Sequence, residues 1–276
     1  MNPLYGIVAG SAPLLLASFG ALISEYAGCM ALFLDGIINL GAFLCFAFTV
    51  TTNSSAAGMA LSIVICVCCI ASAGIITERF HANAFLAALA LNLLTSALAS
   101  ALSAKWFGTR GILTSASFIF DAGNTRLFTT IIAYVLVAAG WMALRKTRQG
   151  LYIRITGSDA DVLAARGISA AAMRVLAWSV AAFFGGAAGC VLVCRLSSFV
   201  PNISSGTGWT ALAAVFLGKK STAAISAAVL VFAAAEYGAS NMQNIPCLRS
   251  VPSAVLLSLP YITALLLILL TPEKQK

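Results

Sequence analysis

The sequence predicts an all-α, polytopic transmembrane helical bundle of about eight full spans plus short discontinuous helices. Three observations predict it. Of 276 residues, 61% are hydrophobic and only 9% charged, with a mean hydropathy of +1.00, whereas a soluble domain carries roughly 25% charged residues. The apolar residues fall into runs long enough to cross a hydrocarbon core, which takes about 20 helical residues. The basic residues gather in a few places between those runs.

Eight runs give the elements in order: residues 4–24, 37–52, 57–77, 84–104, 127–144, 173–194, 222–240 and 252–271. Several are bounded by polar or helix-breaking clusters such as Asn53-Ser54-Ser55 and Pro246. No Lys or Arg precedes Arg79, so the first run lacks the charged flank of a cleavable signal and is expected to be the first span. The runs fill residues 1–276 as a single transmembrane domain, with no room for a separate soluble one.

Two apolar pieces are far too short to span as ordinary helices. Cys29 to Leu34 lies between Gly28 and Asp35-Gly36, and Trp209 to Leu217 lies between Gly208 and Gly218. Counting sides makes the second informative. The stretch Arg145–Arg174 holds six of the sixteen basic residues; it is too polar to cross a bilayer, and its charge places it in the cytoplasm. The Lys274/Lys276 tail is expected there too, yet an odd number of full spans separates the two. A crossing by Trp209–Leu217 repairs the parity and brings Lys219-Lys220 to the cytoplasmic face.

Discontinuous helices survive in a bilayer where they line a cavity or are buried in protein. The pattern Gly28-x-x-Ala31-Leu32…Leu34-Asp35-Gly36 is faintly echoed by Gly208-x-x-Ala211-Leu212…Leu217-Gly218, and paired Gly-interrupted segments point toward a substrate path. Gly185-x-x-x-Gly189 is expected to pack two helices of this chain closely.

The cytoplasmic loop, about 145–172, carries its own structural signals. Ser158 followed by Asp161 reads as a capping box, Asp159 and Asp161 put negative charge at a helix start, and Gly167 supplies a stop. They predict a helix over about 159–166, with Val162, Leu163 and Ile168 available for an apolar surface. So short a helix is marginal alone, which implies a docking partner; the competing reading lays it on the membrane surface.

Chemistry of other kinds is not indicated. Cys66, Cys68 and Cys69 contain a C-x2-C inside an apolar run, with no second pair or histidine at zinc-binding distance. They, like Cys190 and Cys194, are expected to pack between helices. His81 is the single histidine and sits in a short loop beside Arg79, so no catalytic triad and no metal site can be assembled. Gly218-Lys219-Lys220-Ser221 is not the end of a P-loop, which needs Gly at 213 and Ser or Thr at 220, where Ala213 and Lys220 stand. No aromatic-basic interleaving suggests nucleic acid. Ionisable or amide groups in or near the spans remain: Glu25, Asp35, Asn39, Asn92 and Glu236. Such groups are functional by default. Asp35 and Asn39, one turn apart, together with Asn92 and Trp209, are the expected pathway residues; for Asn92 a helix-to-helix hydrogen bond is an equal alternative. Glu25 is expected at a membrane boundary and Glu236 at the outer end of its span.

TRQGLYIRITGSDADVLAARGISAAAMR resembles the permease signature of ATP-binding-cassette (ABC) importers, in the branch that imports nucleosides, simple sugars and related compounds. SEYAGCMALFLDGIINLGAF, FFGGAAG and GTGWTALAAVFLGKKS resemble further motifs of that branch, in the same order, across roughly residues 11–271. The chain departs from the pattern at Tyr26, Ala31, Asp35, Ile155-Thr156 and Asp159.

The resemblance implies a multi-pass permease subunit of the cell (inner) membrane, surrounded by lipid. Its pathway would serve a nucleoside or a comparable heterocycle such as riboflavin, with simple sugars as the alternative. It implies a second permease subunit, identical or homologous, and an extracytoplasmic substrate-binding protein or lipoprotein. It also implies ABC ATPase subunits that carry ATP and magnesium, so that this chain binds no cofactor and is not an enzyme. Gly157, Ser158, Asp159, Asp161, Leu163, Ala164, Ala165 and Gly167 would couple to the ATPase. A secondary transporter working without an ATPase is the alternative from another class.

Overall fold

In a computed structural model, the structure describes residues 3–242 together with 262, 263 and 265. Ten α-helices are defined among them: α1 (Pro3–Tyr26), α2 (Leu34–Thr52), α3 (Ser55–Arg79), α4 (Ala84–Phe107), α5 (Ala122–Lys146), α6 (Arg148–Thr156), α7 (Ala160–Ala164), α8 (Ala170–Leu196), α9 (Thr207–Leu217) and α10 (Thr222–Met242). Seven of these are long and apolar enough to cross a membrane: α1 to α5, α8 and α10. They coincide with the first seven runs read from the sequence. The eighth run, 252–271, lies outside the described residues except for 262, 263 and 265, and Pro246 and the Lys274/Lys276 tail lie outside them altogether.

Polar side chains begin the helices where the apolar runs begin. Asn83 accepts the Phe85 and Leu86 N–H groups at the start of α4, Asp121 accepts from Asn124 before α5, and Ser169 accepts from Ala172 before α8. Each satisfies a donor that the first helical turn leaves orphaned. Gly108 closes α4 at φ +69°, a left-handed conformation that costs glycine little.

Burial separates an inner layer from an outer one. The apolar windows of α1, α2 and α8 are 83%, 78% and 67% buried, whereas those of α3, α4, α5 and α10 lie between 22% and 33%. The first three form the core and the others present large side chains such as Leu93 and Val135 to the surroundings. The Gly185/Gly189 stripe is the seam between α8 and α2, an intramolecular contact as expected. A Cβ on Gly189 would overlap the Ile38 carbonyl, and Gly41 meets the Gly186 backbone. Gly189→Val should therefore lower stability by about 1–3 kcal/mol through overpacking, read as a reduced melting midpoint of the detergent-solubilised protein. Toward the opposite end, Arg195 ties three helices together: it donates to Thr129 Oγ1 at 3.0 Å and Thr130 Oγ1 at 2.9 Å on α5, and to the Ala9 carbonyl of α1 at 2.6 Å.

Contacts to the basic loop orient the first spans, which the sequence could not do. Lys220 pairs with Glu25 at 3.3 Å, the Tyr26 hydroxyl donates to the Lys220 carbonyl at 2.5 Å, and Arg174 pairs with Glu78 at 3.2 Å. The ends of α1, α3 and α9 therefore share the face of the Arg145–Arg174 stretch, which its positive charge makes cytoplasmic. From there α1, α3, α5 and α9 run inward and α2, α4, α8 and α10 outward. Glu25 lies in the last turn of α1, at that end of the bundle.

The first short piece is corrected. Residues 27–33 are not a short helix but a non-helical link, anchored where the Cys29 N–H donates to the Ser24 carbonyl and the Ser24 hydroxyl to the Cys29 carbonyl. Two glycine-flanked apolar segments of similar length adopt different structures because the first continues directly into the long helix α2. Only α9 is a short apolar helix among the described residues.

Candidate functional site

The cytoplasmic loop folds into two short helices held between α5 and α8. Thr147 starts α6, its hydroxyl accepting the Gly150 N–H at 3.1 Å. At the far end of α6, Gly157 presses on α1: an added Cβ would overlap the Tyr26 carbonyl and stand within 3 Å of the Gly28 N–H. This helix was not expected, because Arg148–Thr156 mixes charges with β-branched residues and shows no clean apolar stripe. The Thr147 cap was its only local signal.

The expected second helix is present and shorter, as α7. Its cap is Asp159, whose carboxylate accepts the Asp161 N–H at 3.0 Å, while the Ser158 hydroxyl donates to the Arg154 carbonyl at 3.2 Å. The capping box is thus replaced by a single-residue cap. Gly167 ends the segment at φ +72°, with its own N–H donating to Ala164 and the Ile168 N–H to the Leu163 carbonyl, a Schellman closure. Leu163 is fully buried and anchors the helix to the protein, whereas Val162, Ala164 and Ala165 are exposed. Of the eight residues expected to couple, Leu163 is buried and supports the helix, and Ala164 and Ala165 lie on its accessible face.

The second constellation lies deep in the bundle. Helix α9 rises about 16 Å from the cytoplasmic face, roughly half of a 30 Å hydrocarbon core, so its N-terminus is buried at depth. Asp35 meets it there: Oδ1 accepts the Gly208 N–H at 3.1 Å. A Cβ on Gly208 would overlap the Asp35 backbone, so the approach needs glycine. A carboxylate at a helix N-terminus is stabilised by the dipole and by orphaned N–H groups. One turn along α2, Asn39 Nδ2 donates to Ser204 Oγ at 2.8 Å and its Oδ1 accepts the Ser204 N–H at 3.1 Å. Asn92 of α4 does the equivalent for α2, accepting the Gly36 N–H at 2.6 Å.

Asp35, Asn39 and Asn92 are thus brought together around two helix starts, each accepting a backbone N–H of a neighbouring segment. Trp209, beside them in α9, is 43% exposed. It shares an outward face with Phe216, two turns along. Glu236 lies in the last turns of α10 and His81 is exposed in its loop. Among the described residues no group of His, Cys, Asp or Glu is arranged to hold a metal. Cys29, in the link between α1 and α2, is buried, and desolvation pushes its thiol up to about 12, which leaves it protonated and unreactive.

The pattern of a protein family described as "Branched-chain amino acid transport system / permease component" matches residues 4–270. The guanosine ABC transporter permease protein NupQ of Bacillus subtilis is 26% identical, covering 93% of this chain and 87% of its own. The nucleoside ABC transporter permease protein NupC of Lactococcus lactis is 25% identical over 98% of this chain and 93% of its own. Sugar ABC permeases match as well. A solved structure, PsaBC from Streptococcus pneumoniae in complex with Fab, superposes with a TM-score of 0.51 and 13% identity, over 98% of this chain and 91% of that one.

Proposed function

This chain belongs to the branched-chain amino acid transport system / permease component family, and from that premise we propose that it forms one half of the import pathway for a nucleoside or a related heterocycle-bearing compound such as riboflavin. It is an ABC-transporter permease, a multi-pass membrane protein and a transport subunit rather than an enzyme. A second permease subunit completes the pathway, a substrate-binding protein or lipoprotein delivers ligand from outside, and ATPase subunits supply the energy.

The observation that carries the coupling role is α7. It is fixed from behind by Leu163 and shows Val162, Ala164 and Ala165 to the cytoplasm. A cleft on the ATPase receives that face together with Gly157, Ser158, Asp159, Asp161 and Gly167. Movement of the loop passes through the Gly157 contact to the end of α1 and the 27–33 link, then through Asp35 to α9. On the pathway side, Asp35, Asn39 and Asn92 hold the two helix starts in place, and Trp209 offers an aromatic face on which a heterocycle stacks. The full-length similarity to guanosine and nucleoside permeases supports a nucleoside over a simple sugar, whose indole contact would be weaker.

Uptake into proteoliposomes carrying the permease with its ATPase and binding protein tests this. Guanosine and other nucleosides are expected to be taken up and to compete with one another, ribose and glucose are not, and Trp209→Ala should lower nucleoside uptake about tenfold, equivalent to about 1.4 kcal/mol. Saturable uptake of a free sugar without nucleoside competition would overturn the substrate assignment.

A further inference from the structure

An apolar groove of about 360 Å³ runs along the seam of α1, α5 and α10. Its walls are Leu15, Phe19 and Leu22 of α1, Val137 of α5, and Ile225 and Val229 of α10. The deep end is closed where the Ser11 and Tyr134 hydroxyls pair at 2.8 Å. At the cytoplasmic end Trp141 and Thr222 form its lip, the indole N–H donating to Thr222 Oγ1 at 3.1 Å. The α1 stretch from Ser11 to Leu22 rises about 16 Å, close to the depth of one leaflet in a core of about 30 Å.

A second cavity of about 380 Å³ continues from that lip and shares Trp141 and Thr222 with the groove. Its lining includes Arg145, Arg154 and Lys220. Lys220 is matched by Glu25 at 3.3 Å, while among the described residues neither Arg145 nor Arg154 has an ion pair. The Arg145 guanidinium lies over the Trp141 ring at 4.4 Å and that of Arg154 over the Tyr26 ring at 5.8 Å. Both arginines are exposed, so their remaining donors are available to an anion, with a charge surplus of two.

We propose that groove and basic cavity together bind an anionic glycerophospholipid of the cytoplasmic leaflet. Arg145 and Arg154 hold its phosphate at the interface, and one acyl chain lies along α1 between α5 and α10. A basic pocket between spans on the cytoplasmic side matches the headgroup, and the interfacial tryptophan marks the level at which it sits. Charge and depth choose the occupant. A zwitterionic headgroup leaves the surplus charge unanswered. An acidic protein surface would answer it but could not fill an apolar groove that lies within the hydrocarbon. The bound lipid touches the end of α5, α6 and the turn before α10, so it braces the junction from which the coupling helices project.

The test uses the purified full-length permease in detergent, without ATPase, titrated with dioleoyl phosphatidylglycerol, dioleoyl phosphatidylcholine or inorganic phosphate. Native mass spectrometry counts bound lipid and a thermal melt follows stability. Phosphatidylglycerol is expected to bind saturably and raise the melting midpoint, with the other two doing neither. The double change Arg145→Gln with Arg154→Gln should weaken that binding roughly 25-fold, and Val137→Trp, which fills the groove, should exclude the lipid while leaving both arginines in place. Equal binding of phosphatidylcholine, a phosphate effect equal to that of the lipid, or unchanged affinity in both variants would overturn the proposal. So would a photo-crosslinker on Val137→Cys that labels only protein.

Discussion

Ala164→Glu is expected to abolish ATP-driven uptake while leaving the permease correctly inserted and as stable as before. Ala164 is exposed on α7, so a larger side chain meets no part of this chain, and surface substitutions of that kind change stability by no more than about 0.5 kcal/mol. Under the proposed coupling role, what it meets is the ATPase. A carboxylate forced into a protein cleft without a partner costs several kcal/mol, and every 1.4 kcal/mol is about tenfold in affinity. Uptake should fall by at least about 100-fold, together with co-purification of the ATPase. Leu163→Asp separates surface from support. It places a charge where the side chain is fully buried, so α7 itself should detach, with a lower melting midpoint that Ala164→Glu does not share. Undiminished uptake by Ala164→Glu would remove α7 from the coupling role and return the basic loop to a topogenic connector.

How much of this was legible in the sequence differs from element to element, for physical reasons. Spans were readable because lipid demands long apolar helices and polar caps mark their ends, as at Asn83 and Ser169. Helix α9 was readable indirectly: eleven residues are too few to cross as an ordinary span, but the odd number of full spans between the basic loop and the Lys274/Lys276 tail called for one more crossing. Helix α6 was not, since its stability comes from packing against α5 and α1 rather than from a pattern of its own. The choice of Asp159 over Ser158 as cap was likewise out of reach, because both side chains can accept an N–H and only the backbone path selects between them. Asp35 and Asn39 stood out as polar groups in an apolar setting. Their partners did not, because Gly208 is 173 positions from Asp35 along the chain, and no local pattern encodes a contact at that separation.

Asp35 is where the largest loss inside the bundle is expected. Asp35→Leu removes the acceptor of the Gly208 N–H, and an unsatisfied backbone group in hydrocarbon costs several kcal/mol. The start of α9 would release from α2, and Asn39 alone would hold the preceding loop through Ser204. Asp35→Asn keeps an oxygen within reach of Gly208 and gives up only the charge at the helix start, about 1 kcal/mol and up to about 2 in a partly buried setting. The two substitutions should therefore diverge: uptake lost with leucine, and reduced about five- to thirtyfold with asparagine. Because α7 is built from separate residues, ATPase co-purification should survive in both, and ATP hydrolysis should continue without transport in the leucine variant. Loss of the ATPase from either variant would make Asp35 a determinant of the global fold instead. Equal activity of the leucine variant and the parent would show that α9 keeps its place without the carboxylate, and the route from Gly157 through the 27–33 link to the pathway would have to run through another contact.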